Sequence, residues 1–137
     1  MSTELTYLTL TALLTGCLWI PVVIGYVVAR GPLKPEDYQR TPTSPLPDWV
    51  ERANRAHLNA VENFAQFAAV VIVAALMQFS SPVTVACATI YFYARLAHAV
   101  VHISGIPSFM ARTVIFTVGW LAFLVYAVAV LSKAWAG

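Results

Sequence analysis

The sequence predicts an all-α integral membrane protein, folded as a single four-helix bundle over residues 1–137. Its composition is the first indication, because 60% of the residues are hydrophobic and only 10% are charged, whereas a soluble domain carries about 25% charged residues. The second is a set of four apolar segments, each long enough with its flanking residues to cross a bilayer, which takes about 20 residues in a helix. The sequence shows no internal repeat or low-complexity segment, so one domain is expected.

The first predicted helix covers residues 5–29, with a kink expected at Pro21 because proline lacks the N–H that a helix interior needs. Membrane helices tolerate such kinks. Residues 30–47 form the one substantial polar stretch, and prolines are frequent in it (Pro32, Pro35, Pro42, Pro45 and Pro47). This composition predicts a loop without a packed core between the first two helices.

The second helix is predicted at residues 48–79, with Asp48 as its N-cap. Its purely apolar part, residues 64–79, is too short to cross a bilayer alone. The membrane span therefore has to include the polar residues Asn59 and Glu62, near the membrane boundary.

The last two helices follow after short breaks. A turn at Ser80–Pro82 precedes a third helix predicted at residues 83–103, and Gly105–Pro107 ends it. The fourth helix is predicted at residues 108–135.

The distribution of Lys and Arg predicts how the bundle is oriented. Most of these residues lie at the end shared by the first and third connections (Arg30, Lys34, Arg40, Arg52, Arg55 and Arg112), and only Lys133 marks the opposite end. The positive-inside rule then places the 30–47 loop in the cytoplasm and both termini outside. A multi-pass protein of this orientation is expected.

Two stripes of polar residues interrupt the apolar segments, one on the second helix and one on the third (Arg55, Asn59, Glu62; Arg95, His98, His102). At about 100° per residue, each set falls within an arc of roughly 60° and so occupies one helix face. A charged side chain inside a membrane costs about 2.5–3.5 kcal/mol on insertion scales. Such residues are therefore candidates for function.

The two stripes are expected to meet, because consecutive helices of the bundle run antiparallel. Arg112, at the start of the fourth helix, belongs to the same layer, and Arg30 and Arg52 are weaker members that serve equally well as membrane-surface anchors. Guanidinium groups bind carboxylates through two parallel hydrogen bonds and stay charged. The layer therefore suits a small anionic ligand from the cytoplasm, although Arg–Glu pairs that only set helix register explain the same pattern.

Composition and spacing argue against two other classes of ligand. The net charge is only +2, and no basic run points to nucleic acid. His98 and His102 stand at the i, i+4 spacing of a metal-binding pair, but Glu62 is the only suitable third ligand near them. No metal is expected.

The residue pattern resembles that of the MAPEG family, the membrane-associated proteins in eicosanoid and glutathione metabolism. The run RAHLNAVENF (residues 55–64) is similar to the family signature, in which Arg, Asn and Glu recur at this spacing. The segments RLAH (95–98), GIP (105–107) and Arg112 resemble its third-helix and loop pattern. The similarity covers essentially the whole chain, and its compact length looks like that of bacterial members.

The resemblance implies a homotrimer in the bacterial inner membrane, with glutathione as co-substrate between neighbouring subunits. The positions matched to glutathione binding are Arg55, Asn59, Glu62, Arg95 and His98. Arg112 matches the arginine that stabilises the thiolate, and Thr113 beside it offers a hydroxyl. His102 stands where glutathione-using members usually have Tyr, and Leu58 where some prostaglandin-synthase-like members carry an additional Arg.

The predicted function is accordingly that of a microsomal-type glutathione transferase or peroxidase acting on lipophilic electrophiles. Its expected partners are a second and third copy of the chain, the lipid bilayer and a small hydrophobic substrate. Two alternatives stay open from the sequence: a protein of the same fold that binds glutathione or an anionic lipid without chemistry, and a purely structural bundle.

Overall fold

The computed structural model describes residues 1–39, 44–107 and 110–136, and in these residues it shows helices and no strand. Four spans are long and apolar enough to cross a membrane, and the first of them is divided in two. The all-α four-helix prediction is confirmed. The helices are α1 (Thr3–Cys17), α2 (Trp19–Arg30), α3 (Asp48–Leu76), α4 (Pro82–Ser104) and α5 (Ala111–Ala136), and a short 3-10 helix covers Pro35–Tyr38.

The first span is interrupted at Leu18, between α1 and α2. Pro21 lies at the start of α2 and has no N–H to offer the carbonyl of Cys17, four residues before it. The interruption therefore falls one turn before the proline, where the helical hydrogen-bond ladder loses a donor.

The ends of α3 differ slightly from the predicted ones. Pro47 occupies the N-cap, and its carbonyl accepts the first turn's N–H groups, so the prediction of Asp48 as N-cap is wrong by one residue. At the other end Gln78 adopts a left-handed conformation, with φ 53°. The N–H of Phe79 then bonds back to the carbonyl of Ala74 at 2.9 Å, which is the pattern of a Schellman motif. The helix therefore ends before Phe79, which packs against the core from outside the helix.

α4 is the central helix, in contact with α1, α3 and α5. In the half of the bundle near the α3–α4 turn, here called the turn end, its Tyr91 stacks on Phe67 of α3 with ring centroids 3.8 Å apart. Tyr126 of α5 meets the edge of Phe67 at 6.2 Å. These buried aromatic contacts hold α3, α4 and α5 together. Polar side chains occupy the opposite half of the bundle, here called the loop end.

A buried carboxylate joins α1 to α4 at the turn end. Glu4 is only 3% exposed, and its Oε1 accepts hydrogen bonds from Ser80 Oγ at 2.6 Å and Thr84 Oγ1 at 2.9 Å. Thr84 in turn forms a capping box with Ser81 at the start of α4. The carboxylate thus lies at two helix N-termini, whose dipoles favour negative charge.

Replacing Glu4 with alanine is expected to destabilise the bundle by about 2–3 kcal/mol, because two hydrogen bonds to a charged acceptor are lost and two hydroxyls lose a partner. Reversible unfolding in mixed detergent micelles measures this change. Ser80→Ala, which removes only one donor, is the matched control and is expected to cost about 1 kcal/mol. Equal effects of the two substitutions would contradict the role given to the carboxylate.

Candidate functional site

The two polar stripes meet at a hydrogen-bonded pair formed by the partly buried Asn59 and the buried Arg95. Arg95 is 6% exposed, and its Nη2 donates to Asn59 Oδ1 at 2.6 Å and to the Asn59 carbonyl at 3.2 Å. The guanidinium also lies 5.7 Å from the ring centre of Phe116 on α5, a cation–π distance. A charge within a membrane span is therefore held by an amide, a carbonyl and a ring.

Small and polar neighbours keep this pair in register. Gly119 of α5 lies against α4, where a Cβ would come within 3.3 Å of Ala94 and 3.8 Å of the Arg95 side chain. One turn deeper, the Tyr91 hydroxyl donates to the carbonyl of Asn63 at 2.9 Å. These contacts fix the rotation of α4 between α3 and α5.

The two histidines of α4 line the layer between the Arg95 pair and the loop end. His98 is 4% exposed, and its ring lies 5.5 Å from the ring of His102 and 6.0 Å from that of Phe116. His102 is partly buried, and its Nδ1 has no hydrogen-bond partner among the described residues. No three His, Cys, Asp or Glu side chains in the described part of the chain come together as a metal site requires.

Arg52 caps the C-terminal end of α4. Its Nε donates to the carbonyl of Ile103 at 3.2 Å, which satisfies one of the free carbonyls at the helix C-terminus. The guanidinium lies over Gly105, where an added Cβ would come within 2.7 Å of its central carbon. Gly105 itself has φ 65°, the left-handed conformation of a helix-ending residue.

Gly105→Ala is expected to destabilise the bundle by about 2 kcal/mol, since a Cβ is strained in the left-handed conformation and also pushes Arg52 off the Ile103 carbonyl. The free energy of unfolding in detergent micelles is the measurement. Gly16→Ala is a suitable control, because a Cβ at Gly16 meets nothing within 4 Å. A loss no larger than that of the control would show that Gly105 has no such packing role.

Four of the predicted site residues lie on the outer surface of the protomer. Arg55 is 71% exposed and forms an i, i+4 ion pair with Glu51 at 3.7 Å. Glu62, Arg112 and Thr113 are exposed as well. The expected layer is therefore split into an inner part, made by the buried Arg95 and His98 with the partly buried Asn59, and an outer part, made by these four.

His102 connects the two parts. Its ring lies 5.5 Å from that of His98, and Arg52 of α3 bonds to the carbonyl of the next residue, Ile103. Side chains of α3 and α4 thus meet at the loop end.

Arg30 makes its contacts elsewhere. Its Nη2 donates to the carbonyl of Ser44 in the first loop, and its guanidinium lies 5.2 Å from the ring centre of Tyr26. It borders a groove of about 640 Å³ between α2 and that loop, which Trp19 and Lys34 also line. Through these contacts Arg30 anchors the first loop to α2.

Comparison with known families agrees with this architecture. The model of the MAPEG family matches residues 5–132 of the 137-residue chain. The chain belongs to the MAPEG family. A search of curated proteins finds no match. Family membership identifies a membrane protein of the glutathione and eicosanoid metabolism type.

Sequence reasoning missed two residues of this MAPEG bundle. Phe116, which supports Arg95, lies one turn after Arg112, so the start of α5 predicts that both face the same way. Glu4 gives no such signal, because its partners are 76 and 80 residues away in the chain.

Proposed function

We propose that this MAPEG protein is a glutathione-dependent transferase or peroxidase that acts on lipophilic electrophiles and works as a homotrimer. The observation that carries the proposal is the exposure of Glu62 on the outer face of α3. Glu62 lies about 21 Å from the end of α3 at Leu76, at about 1.5 Å per residue, and so within a hydrocarbon layer of about 30 Å. A carboxylate facing lipid at that depth is costly, so a polar partner is expected to cover it.

A second copy of the chain with a glutathione molecule between the copies provides that cover. Glutathione carries one ammonium group, two carboxylates and a thiol. Glu62 suits the ammonium group, and Arg55 suits a carboxylate, since its present ion pair with Glu51 is long and exposed and exchanges at little cost. His98 and the Asn59–Arg95 pair form the inner wall against which the ligand lies.

Arg112 has the position and charge to activate the thiol. Its guanidinium is exposed at the start of α5, in the same neighbourhood as His98 and His102. A fixed cation stabilises the thiolate, which is the nucleophilic form. The thiolate sulfur then forms a bond to an electrophilic carbon of a substrate from the bilayer as the leaving group departs, and the Thr113 hydroxyl is near enough in sequence to assist.

The two non-catalytic alternatives fit only part of the layer. Arg95 and Arg52 each donate hydrogen bonds inside the protomer, as a purely structural bundle requires. Glu62 and Arg112 have no ion pair among the described residues. The outer residues therefore favour a ligand over a register-setting role.

We also propose that the protein is a multi-pass component of a bacterial inner membrane, with the loop end in the cytoplasm. Arg30, Lys34, Arg52, Arg55 and Arg112 all belong to that end, and Lys133 belongs to the other. The positive-inside rule supports this orientation. Glutathione would then enter the site from the cytoplasm and the second substrate from the lipid.

The proposal is tested with the purified protein in lipid nanodiscs. Added glutathione is expected to produce the ultraviolet absorbance of a thiolate, and a model chloronitroarene is expected to be conjugated. Binding of S-methylglutathione, which has no thiol, separates ligand recognition from chemistry. Binding without thiolate or turnover would support the non-catalytic alternative, and the lack of all three signals would refute glutathione use.

A further inference from the structure

Thiol activation in this layer needs a proton acceptor as well as cations. Guanidinium groups are always protonated and accept no hydrogen bond, so Arg52, Arg55 and Arg112 can stabilise a thiolate but cannot take the proton that leaves it. An imidazole nitrogen, a carboxylate or water can do so, and of these the protein itself supplies the first two.

Among the described residues near these arginines, His102 has the acceptor best placed for this task. Its Nδ1 is buried and has no hydrogen-bond partner in residues 1–39, 44–107 and 110–136, although a buried polar atom ordinarily has one. The other acceptors have other roles or positions: Glu51 is paired with Arg55, Glu62 holds the ammonium group of glutathione in the proposed function, and His98 lies one turn deeper in the bundle.

The groups around His102 determine how it would act as a proton acceptor. Arg52 and Arg55 face it from α3, Arg112 from α5, and His98 from its own helix. A neutral imidazole has one ring nitrogen that accepts a proton and one that carries a proton, so it can take a proton at one side and release one at the other.

We propose that His102 is the proton relay that takes the thiol proton from glutathione, an inference that rests on the proposed function. The S–H bond breaks as an N–H bond forms at His102, and the electron pair stays on the sulfur beside Arg112. The imidazolium then gives its proton to water at the loop end or to the departing leaving group, which regenerates the neutral ring.

The test uses His102→Asn, which places a neutral amide where Nδ1 lies, and His102→Gln as a second variant of different reach. Stopped-flow absorbance measures how fast the thiolate forms after glutathione is added, and a pH indicator measures the proton released. Both variants are expected to bind S-methylglutathione within about threefold of the native affinity, but to form the thiolate at least about 100-fold more slowly, the usual scale of general base catalysis. Added imidazole is expected to restore part of the rate in His102→Ala.

His57→Asn is the matched control. His57 also has a buried Nδ1 without a partner among the described residues, but it lies on α3 against Trp19, with ring centroids 5.4 Å apart. Its substitution is expected to leave the thiolate rate unchanged. Native thiolate kinetics in His102→Asn and His102→Gln would overturn the relay while leaving glutathione use intact. If the native protein itself forms no thiolate, the proposed function is wrong, and the relay is wrong with it.

Discussion

Replacing Arg112 with alanine is expected to lower the rate of glutathione conjugation by about 10²–10³-fold, the usual effect of removing one fixed group that stabilises a developing anion. The reason is that Arg112 is the exposed cation of α5 in the layer at the loop end. The bundle itself is expected to stay intact, because the side chain makes no ion pair within the described part of the protomer.

Steady-state kinetics with a chloronitroarene, together with thiolate absorbance, measure the effect of Arg112→Ala. The loss is expected in kcat, with a smaller change in the affinity for S-methylglutathione. Lys133→Ala removes a cation from the other end of the same helix and serves as the control, with native turnover expected. If both variants kept native turnover, thiolate stabilisation by Arg112 would be ruled out.

Asn59→Leu is expected to destabilise the bundle by about 3 kcal/mol, because a buried charged donor loses its side-chain acceptor. Asn59 accepts two hydrogen bonds from Arg95, and the leucine keeps only the one to the backbone carbonyl. Because the guanidinium does not lose its proton, it cannot escape the penalty by becoming neutral.

Unfolding by a denaturing detergent in mixed micelles measures this change. Asn63→Leu is the matched control, since Asn63 lies one turn further along α3 and its side chain donates only to the Asn59 carbonyl. The control is expected to lose about 1 kcal/mol. The double variant Asn59→Leu with Arg95→Met is expected to be more stable than Asn59→Leu alone, because no charge is left unpaired. A double variant that is less stable than the single one would contradict the pairing.

Much of the fold could be predicted because a membrane span needs a long apolar run, and such runs are visible in the sequence. The interruption near Pro21 follows from the chemistry of one residue. The end of α3 could not be read in the same way. Phe79 continues the apolar pattern, but the chain turns at Gln78. Phe79 therefore lies beyond the end of the helix, where it is partly buried against the core.

The candidate site, like the fold, could be predicted from the sequence only in part. Helical spacing alone places Arg55, Asn59 and Glu62 on one face of α3, and Arg95, His98 and His102 on one face of α4. It cannot tell how each face is rotated toward the neighbouring helices. The structure buries Arg95 and His98, and it leaves Arg55 and Glu62 exposed.

The sequence therefore determined the membrane-spanning class, the four spans and the polar layer at one end, because each depends on hydrophobicity and periodicity within a single segment. The tertiary structure decided that Asn59 binds Arg95, that Arg52 caps the end of α4 and that Glu4 joins α1 to α4. It also decided that Nδ1 of His102 has no partner within the part of the chain that the structure describes. Each of these depends on which side chains distant in the chain meet, and helix packing selects those pairs through small residues such as Gly105 and Gly119 that let specific faces approach.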